Sequence, residues 1–110
     1  MHKMTSEMQK CIQNCQDCHS ICLSMAATHC LEIGGAHVEP DHFRLMMDCA
    51  QICQTSADFM LRNSIHHPHI CAECADICKD CAKSCEAVGD MDACVTACHK
   101  CAETCRQMAA

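Results

Sequence analysis

The sequence predicts an all-α protein, an antiparallel up-down-up-down four-helix bundle with a Cys-lined core, and three observations predict it. Cysteines recur at gaps of three or four residues, in Cys71, Cys74, Cys78, Cys81 and Cys85 and again in Cys94, Cys98, Cys101 and Cys105. That spacing stacks side chains turn over turn on one face of an α-helix and has no common direction on a strand. Stripes of the same period recur in four segments, and the few Gly and Pro residues fall between them as punctuation. Connections this short join antiparallel neighbours, so four such helices close into a bundle.

The first segment runs from about residue 5 to 33 and ends at Gly34-Gly35, a natural helix stop. Its inner stripe reads Met4, Met8, Cys11, Cys15, Cys18, Cys22, Met25 and His29. Cys30 is rotated well off that arc, where packing alone would account for it. The second segment, about 40 to 64, opens on Pro40, which suits a first helical turn. Its stripe is His42, Met46, Cys49, Cys53, Ser56 and Met60, with Leu45, Ile52 and Phe59 on one flank. The third, about 68 to 87, follows His66-His67-Pro68-His69 and stops at Gly89. Glu73, Asp76, Lys79, Asp80, Lys83 and Glu86 share its outer arc, opposite the five cysteines. The fourth, about 91 to 108, is expected to start from Asp90 as N-cap and to point Thr96, His99, Lys100, Glu103 and Arg106 outward.

Composition bounds what such a bundle can do. A chain of 110 residues makes one small domain, 1–110, and its 16 Cys and 9 Met against 2% aromatics make the core rich in sulfur. A net charge of −6 with no basic patch argues against nucleic acid. No apolar run approaches the roughly 20 residues of a membrane span. The start, Met1 to Glu7, lacks the apolar stretch of a secretory signal, so the chain is expected in the cytoplasm, where clustered cysteines point to metal before disulfides.

A buried Cys is ordinarily a small hydrophobe, and packing would mix Ala, Leu and Val into the same positions. Here 13 of 16 thiols form stripes on three helices and Cys49 and Cys53 add a shorter one, which packing does not explain. Disulfides fit poorly, because thiols at i,i+4 on one helix have near-parallel Cβ vectors. Zinc sites are usually delivered by knuckles or loops. The Cys71-x2-Cys74-x3-Cys78-x2-Cys81 run lacks the spacing and trailing proline of a bacterial ferredoxin and lies within a periodic helix. Cu(I) is soft and favours thiolate and thioether, and each monovalent ion neutralises one thiolate as it displaces a proton. An iron–sulfur electron-transfer protein, a zinc-binding metallothionein-like buffer and a metal-free helical protein stand as the alternatives. No nucleophile–base–orienter set is evident, so the expectation is a binding protein and not an enzyme.

The bundle places Met25, His29, His42, Met46 and Met91 at one end. Met4, Met8, Met60 and Met108 lie at the other, near His66, His67 and His69. His29 and His42 lie on their stripes and are read as ligands; His19 and His99 are read as surface residues and the three loop histidines as a solvated turn.

The helical ladders, the Cys-x3-Cys-x2-Cys-x3-Cys of Cys94 to Cys105 and the Cys-Arg-x-Met-Ala-Ala ending resemble the four-helix-bundle copper storage proteins over essentially the whole chain, in particular their cytosolic branch. The resemblance implies storage of many Cu(I) ions inside each bundle of a homotetramer, with His or Met residues at a mouth and a copper chaperone or exporter as partner. The ligand set it implies is Cys11, Cys15, Cys18, Cys22, Cys30, Cys49, Cys53, Cys71, Cys74, Cys78, Cys81, Cys85, Cys94, Cys98, Cys101 and Cys105, with His29, His42 and Met46 at the mouth.

Overall fold

Four long helices make up the computed structural model, which describes residues 4–109, so the outermost positions of the expected 1–110 bundle lie outside it. They are α1 (Ser6–Met25), α2 (Pro40–Leu61), α3 (His67–Val88) and α4 (Asp92–Met108). Each has local reasons to begin and end. Thr5 Oγ1 accepts from the Met8 amide at 3.1 Å, capping α1. Glu39 does the same for the His42 amide at 3.2 Å, with Pro40 preset for the first turn of α2. Gly89, at φ 83°, ends α3 in a conformation that costs a residue without Cβ nothing.

α1 packs against α2 and α4, and α3 packs against the same two, so the helices form a square in chain order. With short connections every neighbour is antiparallel, and the bundle measures 49 × 21 × 19 Å. The outer arc predicted for α3 is exposed, as are Thr96, His99, Lys100, Glu103 and Arg106 on α4. Arg106 bridges to Asp76 at 2.6 Å across that surface, a contact of small stabilising value in water. Among the described residues no helix is long and apolar enough to cross a membrane.

Two local expectations are overturned. Asp90 does not cap α4; Met91 occupies the N-cap and offers no side-chain bond. Asp90 instead takes a left-handed turn conformation at φ 56°, which lets Met91 fall inward to 1% exposure. Burying that side chain outweighs a cap worth about 1 kcal/mol.

The second correction concerns the end of the first segment. After Met25 the helix widens into one π turn, Ala26–Cys30, before a last α turn, Leu31–Ile33. In a regular helix Cys30 would stand about 80° away from Cys22; a wide turn absorbs one residue and brings it within about 20°. Ala26 and Cys30 therefore take the inner face at 0% exposure, and Met25 and His29, expected there, are only partly buried. Deleting Ala27 is expected to convert the wide turn into ordinary α-helix and leave Cys30 as protected from an alkylating reagent as in the parent. Peptide mapping after native labelling reads the outcome, and rapid modification of Cys30 in the deletion variant would contradict this account of its position.

Candidate metal centre

All sixteen cysteines are buried at 0% exposure and all are free thiols. The four inner faces meet along the bundle axis, so the ladders interlock as a single column of sulfur. Near its middle Cys18 Sγ lies 3.8 Å from Cys22, Cys49 and Cys98. Cys49 continues to Cys78 at 3.7 Å, and Cys78 to Cys53 at 3.6 Å. Cys53 reaches Cys101 at 3.7 Å, Cys101 reaches Cys15 at 3.6 Å, and Cys105 closes on Cys15 at 3.5 Å and Cys11 at 3.7 Å. Although α2 contributes only two thiols, both stand at crossings of the column and so join the other three walls.

Twelve of the sixteen thiols fall into five overlapping groups in which every ligand atom lies within 4.8 Å of the rest. These are Cys15, Cys74, Cys101 and Cys105; Cys18, Cys49, Cys53 and Cys78; Cys18, Cys22, Cys49 and Cys98; Cys53, Cys74, Cys78 and Cys101; and Cys11, Cys71 and Cys105. Three sulfurs around an ion with metal–sulfur bonds of about 2.3 Å stand about 4.0 Å apart, and four stand about 3.8 Å apart. In the Cys18, Cys22, Cys49 and Cys98 group all six separations lie between 3.7 and 4.0 Å, within a few tenths of an ångström of a four-coordinate arrangement. Charge decides which ion can fill such a column repeatedly: four thiolates around a divalent ion leave a dry site doubly negative, whereas one monovalent ion per thiolate leaves it neutral.

Without metal the column is divided. Ten thiols, among them Cys53, Cys30 and Cys71, are pushed up and hold their protons. Cys11, Cys18, Cys49, Cys74, Cys85 and Cys101 are pulled down by hydrogen bonds from neighbouring thiols. The Cys53 thiol is pushed up by the hydrogen bonds it shares with Cys101, Cys18, Cys49 and Cys74, and by burial. Burial raises Cys30, and the charge of Cys85 adds to it. For Cys71 the bond with Cys105 pulls downward, but the bond with Cys11 and burial outweigh it and push the thiol up to about 12. Among the lowered thiols, hydrogen bonds from Cys81 and Cys94 pull Cys85 down to about 4, with a smaller contribution from the nearby His42.

At one end the column changes composition. Cys30 Sγ meets the thioether of Met46 at 3.8 Å, that of Met91 at 3.9 Å and His37 Nδ1 at 3.9 Å. Met46 is fully buried, and His42 is 4% exposed with its Nδ1 2.6 Å from Ser84 Oγ. His29, expected among the ligands, turns away. Its Nε2 donates to the Asp90 carbonyl at 2.9 Å, and only its ring edge remains close to His37, at 5.2 Å between centroids. At the far end Met60 is fully buried, with Met4, Met8 and Met108 packed partly against the core. His66 and His69 are exposed, and His67 is tied to the Ser64 carbonyl at 2.9 Å, so that loop gathers no ligand set with the column. His19, half-buried, bonds the Ala50 carbonyl at 2.7 Å, and His99 pairs with Glu86 at 3.1 Å on the surface.

His37 was not among the expected ligands. It follows Gly34 and Gly35, at φ 73° and 56°, which reverse the chain so that the 3-10 turn Gly35–Val38 drops His37 onto Cys30 at 7% exposure. The only sequence signal is the Gly34-Gly35 pair, three and two residues before His37.

A family model described as copper storage protein matches residues 4–110 of this chain. A Bacillus subtilis protein described as uncharacterized cysteine-rich protein YhjQ is 40% identical over 110 residues, covering 97% of this chain and 100% of that one. Among solved structures, a Nitrosospira multiformis protein is 56% identical with a TM-score of 0.92, covering 94% of each chain. The Cu(I)-bound copper storage protein BsCsp3 is 39% identical with a TM-score of 0.87, over 96% of this chain and 100% of that chain. The apo form of copper storage protein 3 from Bacillus subtilis, also 39% identical, superposes with a TM-score of 0.76 over 93% of this chain and 98% of that one. The match to the family model runs through every ladder cysteine, and with it the thiol column acquires a relative that holds copper in the same fold: the chain belongs to the copper storage protein family.

Proposed function

We propose that this protein stores and buffers Cu(I), holding many ions per chain on the thiolates of the column. The observation that carries the reading is continuity: Sγ-to-Sγ steps of 3.5 to 4.0 Å run unbroken from Cys22 to Cys11, so an ion bound at one group has a next group within reach. The ladder cysteines are the ligands, and Cys30 with Met46, Met91 and His37 forms the softer, mixed end through which ions enter and leave. His42 belongs to the same end. A shuttle would need one exposed exchangeable site, whereas this chain buries its donors. The role is that of a store and not of a catalyst. A reducing cytoplasm is its natural setting, since it keeps sixteen thiols available. Assembly into a homotetramer, and exchange with a copper chaperone or exporter, complete the proposal by family likeness.

Anaerobic titration of Cu(I) against a competing chelator tests it. The expected capacity approaches one ion per core thiol. The double variant Cys78→Ser, Cys81→Ser should lose about two or three ions while remaining helical. Binding of a single ion per chain would rule out storage, an unchanged capacity in the variant would rule out the column as the site, and preferential filling by Zn(II) at low ratios would make the protein a zinc buffer.

A further inference from the structure

Ser84 lies off the cysteine stripe of α3 and carries no ligand chemistry of its own, yet its hydroxyl holds the one fully engaged atom of a buried histidine. His42 is 4% exposed, its Nδ1 is 2.6 Å from Ser84 Oγ, and its Nε2 is buried with no hydrogen-bond partner. An orphaned polar atom in an interior this dry calls for a partner that comes and goes. Ser84 directly precedes Cys85, and His42 stands one turn before Met46, whose sulfur touches Cys30. His42 therefore stands at the mixed end of the column, near enough to Cys85 for its charge to act on that thiol.

Resting on the Cu(I)-storage reading, we propose that Ser84 is a positioning residue. It accepts the Nδ1 proton of His42 and so fixes the tautomer in which Nε2 presents a bare lone pair to a Cu(I) ion shared with Cys85. A ligating histidine typically donates its other ring N–H to an oxygen, which sets both tautomer and ring orientation. The opposite tautomer would bury an unbonded N–H among sulfur atoms, where it could bond neither protein nor metal. On binding, the Cys85 thiolate and the His42 Nε2 lone pair each donate to the ion, and Cu–S and Cu–N bonds form with no bond broken and no change of oxidation state. One thiolate, one monovalent ion and a neutral imidazole sum to zero charge, so the site satisfies the same condition as the column without a second thiolate. The neutral nitrogen makes this ion more readily exchanged than those held by sulfur alone, which suits the end from which copper departs.

Ser84→Ala and Ser84→Thr, compared with the parent chain, test the assignment. Nitrogen NMR of the apo protein should show His42 protonated at Nδ1 alone in the parent, a mixture of tautomers in Ser84→Ala and the parental state in Ser84→Thr. Stepwise anaerobic addition of Cu(I) should shift the His42 Nε2 resonance. Ser84→Ala should weaken one ion per chain by roughly 10- to 100-fold, leaving the remaining capacity and the helical signal unchanged. A Nε2 resonance that never responds while the column fills would overturn the ligand role of His42 and leave storage intact. A tautomer and a copper isotherm unaltered in Ser84→Ala would overturn the positioning role. Loss of capacity in the parent chain itself would defeat the storage reading, and the His42 site with it.

Discussion

Loading the apo protein with Cu(I) under anaerobic conditions is expected to raise its melting temperature by more than about 20 °C. The apo core is poor in large side chains: beyond Met46, Met60, Met91 and Ile12, the buried residues are mainly cysteine and alanine. Such a core gives little apolar burial per residue, and so stability towards the low end for a domain of this size. Two of the thiol groups, Cys15/Cys74/Cys101/Cys105 and Cys18/Cys22/Cys49/Cys98, share no residue. An ion at each, with free metal about 100-fold above its dissociation constant, adds about 5 kcal/mol. At several degrees per kcal/mol for a domain this small, those two sites alone account for the shift. Calorimetry before and after loading, and again after removal by a chelator, measures it. An unchanged melting temperature at several equivalents of copper would place the ions outside the column.

The apo protein is expected to lose stability steeply as pH rises above about 9, and the loaded protein to be flat over the same range. Thiols such as Cys71, pushed up from 9.0 to about 12, and Cys30, raised by burial and by Cys85, keep their protons in the fold at pH values where the unfolded chain has released them. Unfolding then releases protons, so raising pH favours the unfolded state. The stabilisation is whole below about pH 9 and lost as pH climbs towards 12. Each thiol that retains its proton contributes a slope of about 1.4 kcal/mol per pH unit. Two or three of them would lower the melting temperature by roughly 10 °C or more per unit. In the loaded protein the thiolates carry copper in place of protons, and the linkage disappears. Melting curves of both forms across that range decide the matter; an apo curve that is level or rises would mean that the column is already ionised.

Where a residue's role follows from position along a regular helix, it was legible in advance. The cysteines of α1, α3 and α4 lie on the axis because gaps of three and four leave them no other face. His42, Met46, Cys49 and Cys53 followed by the same rule, and the surface charges of α3 followed as its complement. The rule failed where the helix ceased to be regular. One π turn exchanged Met25 and His29 for Ala26 and Cys30, turning the thiol that looked least suited into the centre of the mixed site. His37 was beyond any periodicity, because a Gly-Gly reversal delivers it. Asp90 carried a proper capping side chain, and the burial of its neighbour Met91 took precedence.

By itself the sequence determined the class of the fold, the inner face of each helix and the softness of the metal that such a core accepts, because period and donor type are properties of residues in a row. Tertiary structure alone decided which thiols lie together, how the column ends, and that Ser84 meets His42 across a gap of 42 residues. Those facts depend on the relative height and rotation of four packed helices, which side-chain volume and local irregularity set together and no single stretch of chain encodes.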